Sequence, residues 1–333
     1  MRRILVLAHT GRSDALRATF DTCVTLRDAG LMPVMLPDEL AELTQALPHP
    51  MPEVLSLGVD STLQEIDLAM VLGGDGTMLR SAELVRGSQV PLLGVNLGHV
   101  GFLAESDRSD LTQTVRWVVD RDYTVEERMA IDVNVWFGNR RVAQTWALNE
   151  AAVEKADRER MIEIVMEVDA RPISTFGCDG MVLATPTGST AYAFSAGGPV
   201  VWPELEALIM APISAHALFA KPLVVAPTSE IAVEILARTD AQAVLWCDGR
   251  RSINLPPGSR VEVTRSATPV RLARVNQTPF SERLVRKFEL PTAGWRGPVH
   301  HPEMDPVSTA LPIVAHGVEV VEPRRKHGTE GRA

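Results

Sequence analysis

The sequence predicts an α/β amino-terminal domain with a doubly wound, mostly parallel sheet, followed by a β-rich carboxy-terminal domain. Its 333 residues suffice for about two domains of ordinary size. In the first third, short continuous apolar runs alternate with segments of helical periodicity, as in strands buried on both faces and their crossover helices. Beyond Tyr123, many short runs of period two indicate mostly antiparallel strands.

Four apolar runs mark the predicted strands of the first domain: residues 3–8, 31–36, 67–72 and 90–95. Between the first two runs, apolar residues at helical spacing from Leu16 to Val24 predict a helix that stops at Gly30. Residues 37–52, rich in Pro and Leu, predict a loop with a short helix. Residues 78–86 are amphipathic and predict a helix between the last two strands.

The second part of the chain contains seven runs of period two, namely residues 131–137, 142–153, 161–169, 171–185, 230–236, 243–249 and 260–266. A helical piece is expected from about Ser189, and another near Phe280 that packs back on the first domain or closes the boundary. The predicted division is an α/β domain over residues 1–123, completed by 278–298, and a β-rich domain over 124–277. Residues 300–333 are predicted to be a largely disordered tail.

Composition excludes several classes of function. The formal net charge is −9, which argues against non-specific binding to nucleic acid or to anionic membranes. It leaves anionic ligands open, because backbone N–H groups hold phosphate without surplus basic residues. The three cysteines are widely spaced, and we expect buried free thiols in a reducing cytosol rather than disulfides or a Cys-rich zinc site. No signal peptide or transmembrane helix is predicted, so we expect a cytoplasmic protein.

The strongest motif is GGDGT, residues 73–77, between a predicted buried strand and a predicted helix. Glycines there let amides approach phosphate oxygens, and the helix N-terminus favours anions. This makes Gly73, Gly74, Gly76 and Thr77 candidate phosphate-binding residues. Asp75 has two interpretations that the pentapeptide leaves open. It takes a proton from an attacking hydroxyl or helps to hold a cation, or it caps the helix.

Two familiar nucleotide motifs are excluded. No GxxxxGK[ST] sequence occurs, and the glycine pattern here places Leu79 where a dinucleotide fingerprint requires Gly or Ala.

Three further segments concentrate polar groups. Residues 185–199, TPTGSTAYAFSAGGP, combine hydroxyls, glycines and a tyrosine, which favours a ligand site over a simple helix start. Asn149 and Glu150 are polar residues at the end of an apolar strand, where the alternative is a strand ending at the surface. Asp179-Gly180 between two predicted strands is typical of a hairpin turn.

Together these motifs resemble the NAD kinase family. The resemblance rests on GGDGT, GVNLGHVGFL (residues 94–103), ALNEAAV (147–153) and DGMVLATPTGSTAYAFSAGGP (179–199), and it covers residues 1–298 in the same order. GGDGT alone is shared with lipid kinases, and a close relative of it occurs in phosphofructokinases. The TPTGSTAYxxSAGGP block is far more specific and decides the family.

The resemblance implies transfer of a phosphoryl group from ATP or polyphosphate to the 2′-hydroxyl of the adenosine ribose of NAD. It also implies a divalent cation such as Mg²⁺, whose ligands it leaves unknown, and a homodimer or homotetramer. By position, Asp75 is the general base and Gly76 lines the NAD site. Asn149 and Glu150 contact NAD, and Asp179 lies on the nicotinamide side. The adenine and ribose pocket is implied to comprise Thr190, Ala191, Tyr192, Ala193, Phe194 and Ser195.

Two arginines complete the candidate NAD-binding residues. Arg80 follows Asp75 by five residues on the predicted helix and is placed to reach a phosphate. Arg160 matches, by its spacing from Asn149 only, a family position that often holds a basic or imidazole group. Because Asp157, Arg158 and Glu159 surround it, a solvated turn is the alternative.

Two other functions compete with this interpretation. A lipid kinase sharing GGDGT predicts an apolar acyl-chain cleft and membrane recruitment, which the acidic balance and residues 185–199 disfavour. A dinucleotide-sensing protein without activity is disfavoured by an intact Asp75, since a pure sensor has no need for a base.

Overall fold

The computed structural model describes residues 1–8, 13–47, 50–97, 101–104, 106–107, 111–275 and 278–292. The strands are β1 Arg3–Ala8, β2 Met32–Met35, β3 Leu55–Ser56, β4 Ile66–Leu72, β5 Leu92–Asn96, β6 Ser106–Asp107, β7 Thr124–Arg128, β8 Ile131–Phe137, β9 Arg140–Ala147, β10 Glu150–Lys155, β11 Ile162–Val168, β12 Arg171–Cys178, β13 Gly180–Ala184, β14 Leu208–Ile213, β15 Leu223–Val225, β16 Ile231–Ile235, β17 Ala243–Cys247, β18 Arg251–Leu255, β19 Ser259–Arg265 and β20 Val270–Arg274. The α-helices are α1 Ser13–Asp28, α2 Pro37–Ala46, α3 Asp75–Leu84, α4 Leu111–Asp120, α5 Tyr192–Ser195 and α6 Phe280–Phe288. The predicted tail, residues 300–333, and the end of the segment 278–298 lie outside the described residues.

The first sheet confirms the predicted α/β class. Its strand order is β3-β2-β1-β4-β5-β20-β7, with β6 also paired to β5. All its pairs are parallel except β20 with β7. Alternate residues of β1 enter different apolar clusters: Ile4 and Val6 pack with α1, α2 and α4, whereas Leu5 and Leu7 pack with α3. Helices therefore cover both faces, as in a doubly wound sheet.

The rest of the chain confirms the β-rich prediction. Two six-stranded antiparallel sheets, β15-β14-β13-β10-β17-β18 and β12-β11-β16-β19-β8-β9, contribute alternate residues to one shared apolar cluster. The domain limits at residues 123 and 277 stay a prediction, and the strands just inside them, β7 and β20, pair in the first sheet. Among the described residues, no helix combines the length and apolar character needed to span a membrane.

The sheet order places a crevice where the first motif lies. Strands β2 and β3 extend to one side of β1, whereas β4 and β5 extend to the other. In such sheets ligands bind beyond the carboxyl ends of the strands at this switch point. GGDGT follows β4 directly, so the topology puts Asp75 at that edge.

The three cysteines confirm the expectation of buried thiols. Cys23, Cys178 and Cys247 are all free and buried, and burial raises the pKa of each thiol to about 12. They are thus uncharged apolar core residues at neutral pH.

Candidate active site

Asp75 lies at the start of α3 but does not cap that helix. Gly74 occupies the N-cap position, without a side-chain cap hydrogen bond. The Asp75 carboxylate instead accepts the amide of Leu103 at Oδ1, 3.0 Å, and that of Phe102 at Oδ2, 3.2 Å. A Cβ on Gly101 would lie 2.4 Å from Oδ1. The capping alternative is therefore wrong, and a glycine-dependent loop after β5 holds the carboxylate.

The other GGDGT residues divide into two groups. Gly73 is buried, its amide donates to the Val95 carbonyl at 2.9 Å, and a Cβ there would collide with the Thr77 side chain. Thr77 is also buried, and its amide donates to the Gly74 carbonyl. Gly74 and Gly76 are exposed, with open space where a Cβ would stand. These two glycines offer the close approach that a phosphate needs.

Arg80 is anchored to the first sheet. Its Nη2 group donates to the Ala8 carbonyl at 2.6 Å and pairs with Glu39 at 2.6 Å. The Ala8 amide donates to the other Glu39 oxygen at 3.2 Å. Burial raises the pKa of Glu39, and Arg80 and the Ala8 amide oppose the rise. Glu39 and the Ala8 carbonyl thus hold the Arg80 guanidinium at the carboxyl end of β1.

Asn149 lies where the chain passes from β9 in one sheet to β10 in the other. Its amide donates to Asp248 Oδ1 at 2.7 Å, and its carbonyl accepts the Thr185 amide at 2.9 Å. Leu148, only 1% exposed, packs in the apolar cluster that contains Met78 of α3. The segment is therefore tied to α3 and to both β-rich sheets.

Sequence reasoning missed Asp248. Its left-handed backbone, with φ 52°, and that of Gly249, with φ 63°, form the turn between β17 and β18. Its side chain is 1% exposed and also accepts the Leu148 amide at 3.0 Å. Burial raises the pKa of Asp248, and the amides of Leu148 and Asn149 and the Arg251 guanidinium oppose the rise. An Asp-Gly pair after a strand predicts such a turn. It does not predict that the carboxylate binds the distant amides of Leu148 and Asn149.

Glu150 is a buried carboxyl group beside Asp248. Burial first, and then repulsion from Asp248, raises the pKa of Glu150 to about 8, while a hydrogen bond from the Tyr192 amide opposes the shift. Its Oε2 atom is buried and has no hydrogen-bond partner among the described residues. A buried carboxyl oxygen without a partner is costly, so this atom is a candidate ligand contact.

The raised pKa of Glu150 predicts a specific pH dependence of stability. Between its usual 4.5 and about 8, the folded protein holds a proton that the unfolded chain has lost. Without metal, the free energy of unfolding should therefore decrease as pH rises through this window. Glu150→Gln should remove this component, as measured by urea unfolding in EDTA at several pH values. Glu159→Gln, in an exposed turn, is the control, and parallel wild-type and Glu150→Gln profiles would contradict the assignment.

Residues 185–195 pack against the end of β10. The hydroxyl of Thr185 donates to the Leu148 carbonyl at 2.5 Å, and that of Ser189 donates to the Val201 carbonyl at 3.1 Å. These hydroxyls stabilise the block itself. Gly188 is essential to the arrangement, since a Cβ there would lie 2.0 Å from the Asn149 carbonyl oxygen.

The predicted adenine and ribose pocket residues differ in exposure. Thr190 and Ala191 are half-buried, and Tyr192, Phe194 and Ser195 are exposed. Ala193 is fully buried in an apolar cluster, so its side chain contributes packing.

Tyr192 and Asp179 are each paired with a neighbour. The Tyr192 hydroxyl donates to Glu154, and burial, followed by Glu154, raises the pKa of Tyr192 to about 12. Lys155 pairs with Asp179 at 2.6 Å and holds the pKa of this carboxyl below its usual range. Asp179-Gly180 is not a hairpin turn, because β12 and β13 belong to different sheets.

Arg160 lies in the exposed turn between β10 and β11 and approaches Asp240 at 3.8 Å. This position matches the solvated-turn alternative, and a contact with NAD stays a prediction.

An aromatic cluster, also missed from the sequence, joins the two motif-bearing loops. Phe102 packs against Phe280 and Phe288 of α6, each at 5.8 Å between ring centroids. Phe288 also stacks on Phe194 at 4.5 Å, and Phe280 meets Trp202 at 5.1 Å. The helix α6 therefore contacts the loop that holds Asp75 and the block that contains Tyr192.

Solved structures share this fold. Yeast NADH kinase complexed with NADH aligns with a TM-score of 0.79 at 22% identity, covering 88% of this chain and 89% of that chain. An NAD kinase from Archaeoglobus fulgidus in complex with ATP aligns with a TM-score of 0.65 at 25% identity, covering 87% and 100%.

Sequence relatives are considerably more similar. The NAD kinase of Leifsonia xyli subsp. xyli is 58% identical over 297 residues, covering 89% of this chain and 97% of the relative. That of Thermobifida fusca is 58% identical over 301 residues, covering 89% and 92%. Models of the ATP-NAD kinase N-terminal and C-terminal domains match residues 14–123 and 148–275. Because these relatives cover 89% of the chain at 58% identity and both domain models match it, the chain belongs to the NAD kinase family.

Proposed function

We propose that this protein is an NAD kinase that transfers the terminal phosphoryl group of ATP to the 2′-hydroxyl of the adenosine ribose of NAD, giving NADP. The observation that carries the proposal is the Asp75 carboxylate, fixed by two loop amides at the sheet's switch point. The 58% identity to named NAD kinases supports the acceptor. The ATP complex of the Archaeoglobus fulgidus NAD kinase supports the donor.

Asp75 orients the ribose hydroxyl and accepts its proton. The hydroxyl oxygen forms the new bond to the terminal phosphorus, and the bond from that phosphorus to the bridging oxygen of ATP breaks, releasing ADP. Catalysis of phosphoryl transfer depends mainly on positioning the reacting groups and neutralising the phosphate charge. The two amides that fix the carboxylate serve positioning, because they leave it little freedom to turn away from the hydroxyl.

Positive potential for the phosphates comes from the edge of the first sheet. The open glycines Gly74 and Gly76 expose the N-terminus of α3, whose dipole favours phosphate. Arg80, held by Glu39, presents guanidinium N–H groups at the same edge, although its partner offsets part of its charge.

The residues present fit a divalent cation bound mainly through substrate phosphates. Mg²⁺ typically takes one or two carboxylates, with phosphates and water completing its shell. The unpartnered Oε2 of Glu150 is a suitable hard oxygen, and the described residues contain no group of three acidic, His or Cys side chains that would form a cage. Glu150 would hold the cation, which when bound supplies neutralisation of phosphate charge.

NAD lies between the Asp75 loop and residues 190–195 in this proposal. Asn149 contacts the ribose, and Asp179 lies on the nicotinamide side. A cytoplasmic location, the absence of nucleic-acid and membrane partners, and assembly into a homodimer or homotetramer stay predictions.

Incubation of the protein with NAD, ATP and Mg²⁺ tests the proposal. We expect NADP to accumulate, measured with a dehydrogenase that uses NADP but not NAD. Polyphosphate in place of ATP identifies the donor, and diacylglycerol with labelled ATP tests the lipid kinase alternative. Labelling of the lipid without NADP formation would overturn the assignment, and binding of NAD without turnover would favour a sensor.

A further inference from the structure

Arg251 joins helix α3 to the turn that carries Asp248. Its guanidinium pairs with Glu83, in the last turn of α3, at 3.0 Å and with Asp248 at 2.8 Å. It lies over the ring of Trp146, 4.7 Å from the centroid, and donates to the Thr145 hydroxyl at 3.2 Å. A planar guanidinium makes such paired and stacked contacts together, which an ammonium does not. Three elements thus fix this one side chain.

Asp248 connects Arg251 to the Asn149 segment through backbone hydrogen bonds. Its carboxylate accepts the amides of Leu148 and Asn149, and its own amide donates to the Glu150 carbonyl at 3.0 Å. Three successive residues are therefore bonded to one turn residue. A shift of the Asp248 carboxylate must move this segment or break its hydrogen bonds.

Helix α3 carries Asp75 at one end and Glu83 near the other. Glu83 pairs with Arg251 at 3.0 Å and with Arg250 at 3.3 Å, and of these two arginines Arg251 is the one that also pairs with Asp248. Leu148 belongs to the same apolar cluster as Met78 of α3. Apolar packing and ion pairs therefore both join helix α3 to the Asn149 segment and its neighbouring turn. The contacts of Arg251 are directional, because ion pairs of a planar guanidinium depend on its orientation.

We propose that Arg251 is a positioning residue for phosphoryl transfer, which aligns the Asn149–Glu150 segment with Asp75 by bridging Glu83 and Asp248. The inference rests on the proposed function, in which Asn149 and Glu150 meet the ribose and the phosphates. It assigns Arg251 no contact with substrate.

The expected signature is a loss in kcat with little change in KM for NAD. Misplacing reacting groups by about 1 Å costs on the order of 10²-fold in rate, so Arg251→Met should lose about that factor. Of the predicted contacts with NAD, only that of Asn149 depends on Arg251, whereas those of Asp179 and residues 190–195 do not, so most of the binding should persist. Arg251→Lys keeps the positive charge but loses the forked guanidinium, so it should recover part of the rate. This variant keeps the proposal testable if Arg251→Met folds poorly.

Arg86→Met is the matched control. Arg86 lies over the same Trp146 ring, 4.1 Å from its centroid, and pairs with Asp132 at 3.6 Å rather than with Asp248. We expect its loss to reduce stability while kcat stays near that of the wild type. An equal kcat loss in both variants would mean general destabilisation and would overturn the proposal.

A double-mutant cycle tests whether Arg251 acts through Asp248. If it does, Arg251→Met should lower kcat much less in an Asp248→Asn background than in the wild type. Independent, additive losses would contradict the proposal.

Hydrogen exchange without substrate separates this inference from the proposed function. In Arg251→Met, the amides of Leu148 and Asn149 should lose protection, whereas in Arg86→Met they should keep it. Unchanged protection in Arg251→Met would refute the bridging role even in an active enzyme. Lost protection in a protein whose wild type forms no NADP would refute the proposed function alone.

Discussion

Asp75→Asn is expected to lower kcat for NADP formation by about 10²- to 10⁴-fold, the usual contribution of a general base, while NAD still binds. The amide keeps one oxygen acceptor for the Phe102 and Leu103 amides but cannot take the proton of the ribose hydroxyl. Steady-state kinetics give kcat, and titration calorimetry with NAD gives the binding constant. A kcat near that of the wild type would exclude Asp75 as the base.

Gly101→Ala provides a complementary control, because it keeps the Asp75 carboxylate but displaces it. The new Cβ would stand 2.4 Å from Asp75 Oδ1, so the side chain must turn away. Reduced turnover in both variants, with thermal melting close to the wild type, would attribute the effect to Asp75 itself. A large fall in melting temperature in Asp75→Asn would instead indicate that its main role is to hold the loop.

Gly188→Ala is expected to produce the largest structural effect. Its Cβ would lie 2.0 Å from the Asn149 carbonyl oxygen and 2.5 Å from its carbonyl carbon. These are backbone atoms that cannot rotate away, so residues 187–190 must separate from the Asn149 segment. We expect a loss of about 3 kcal/mol or more in the free energy of unfolding, measured by urea denaturation, together with loss of NAD binding.

Gly177→Ala is the matched substitution for this test. The nearest atom to a Cβ at Gly177 is Met161 Cε at 3.8 Å, an ordinary van der Waals contact. It should unfold at nearly the wild-type urea concentration. If Gly188→Ala did the same, the close approach of Gly188 to Asn149 would not be needed for the fold.

The sequence alone predicts the first sheet well because buried parallel strands are continuous apolar runs. The predictions for residues 3–8 and 67–72 are confirmed by β1 and β4. The prediction of one strand over 142–153 is wrong, since Leu148 and Asn149 interrupt it and the chain changes sheets there. Alternation of apolar and polar residues reports which face is buried, but not which strand is the neighbour.

The candidate site shows the same limit. Asp75 and Asn149 stand out because they are polar residues at strand ends, which local sequence reveals. Asp248 and Phe102 do not, because their contacts join residues far apart in the chain: Asp248 is 99 positions from Asn149. Folding creates those contacts, so only the structure identifies these two residues.

Phe102 links helix α6 to the carboxylate of Asp75. Its backbone amide grips the Asp75 side chain, while its ring is wedged against two phenylalanines of α6. An expression vector that ended the protein before residue 280 would leave both signature motifs intact and still remove two ring contacts of Phe102, whose amide holds the Asp75 carboxylate. Protein engineers who trim or fuse this end should therefore keep helix α6, because it supports a residue that positions Asp75.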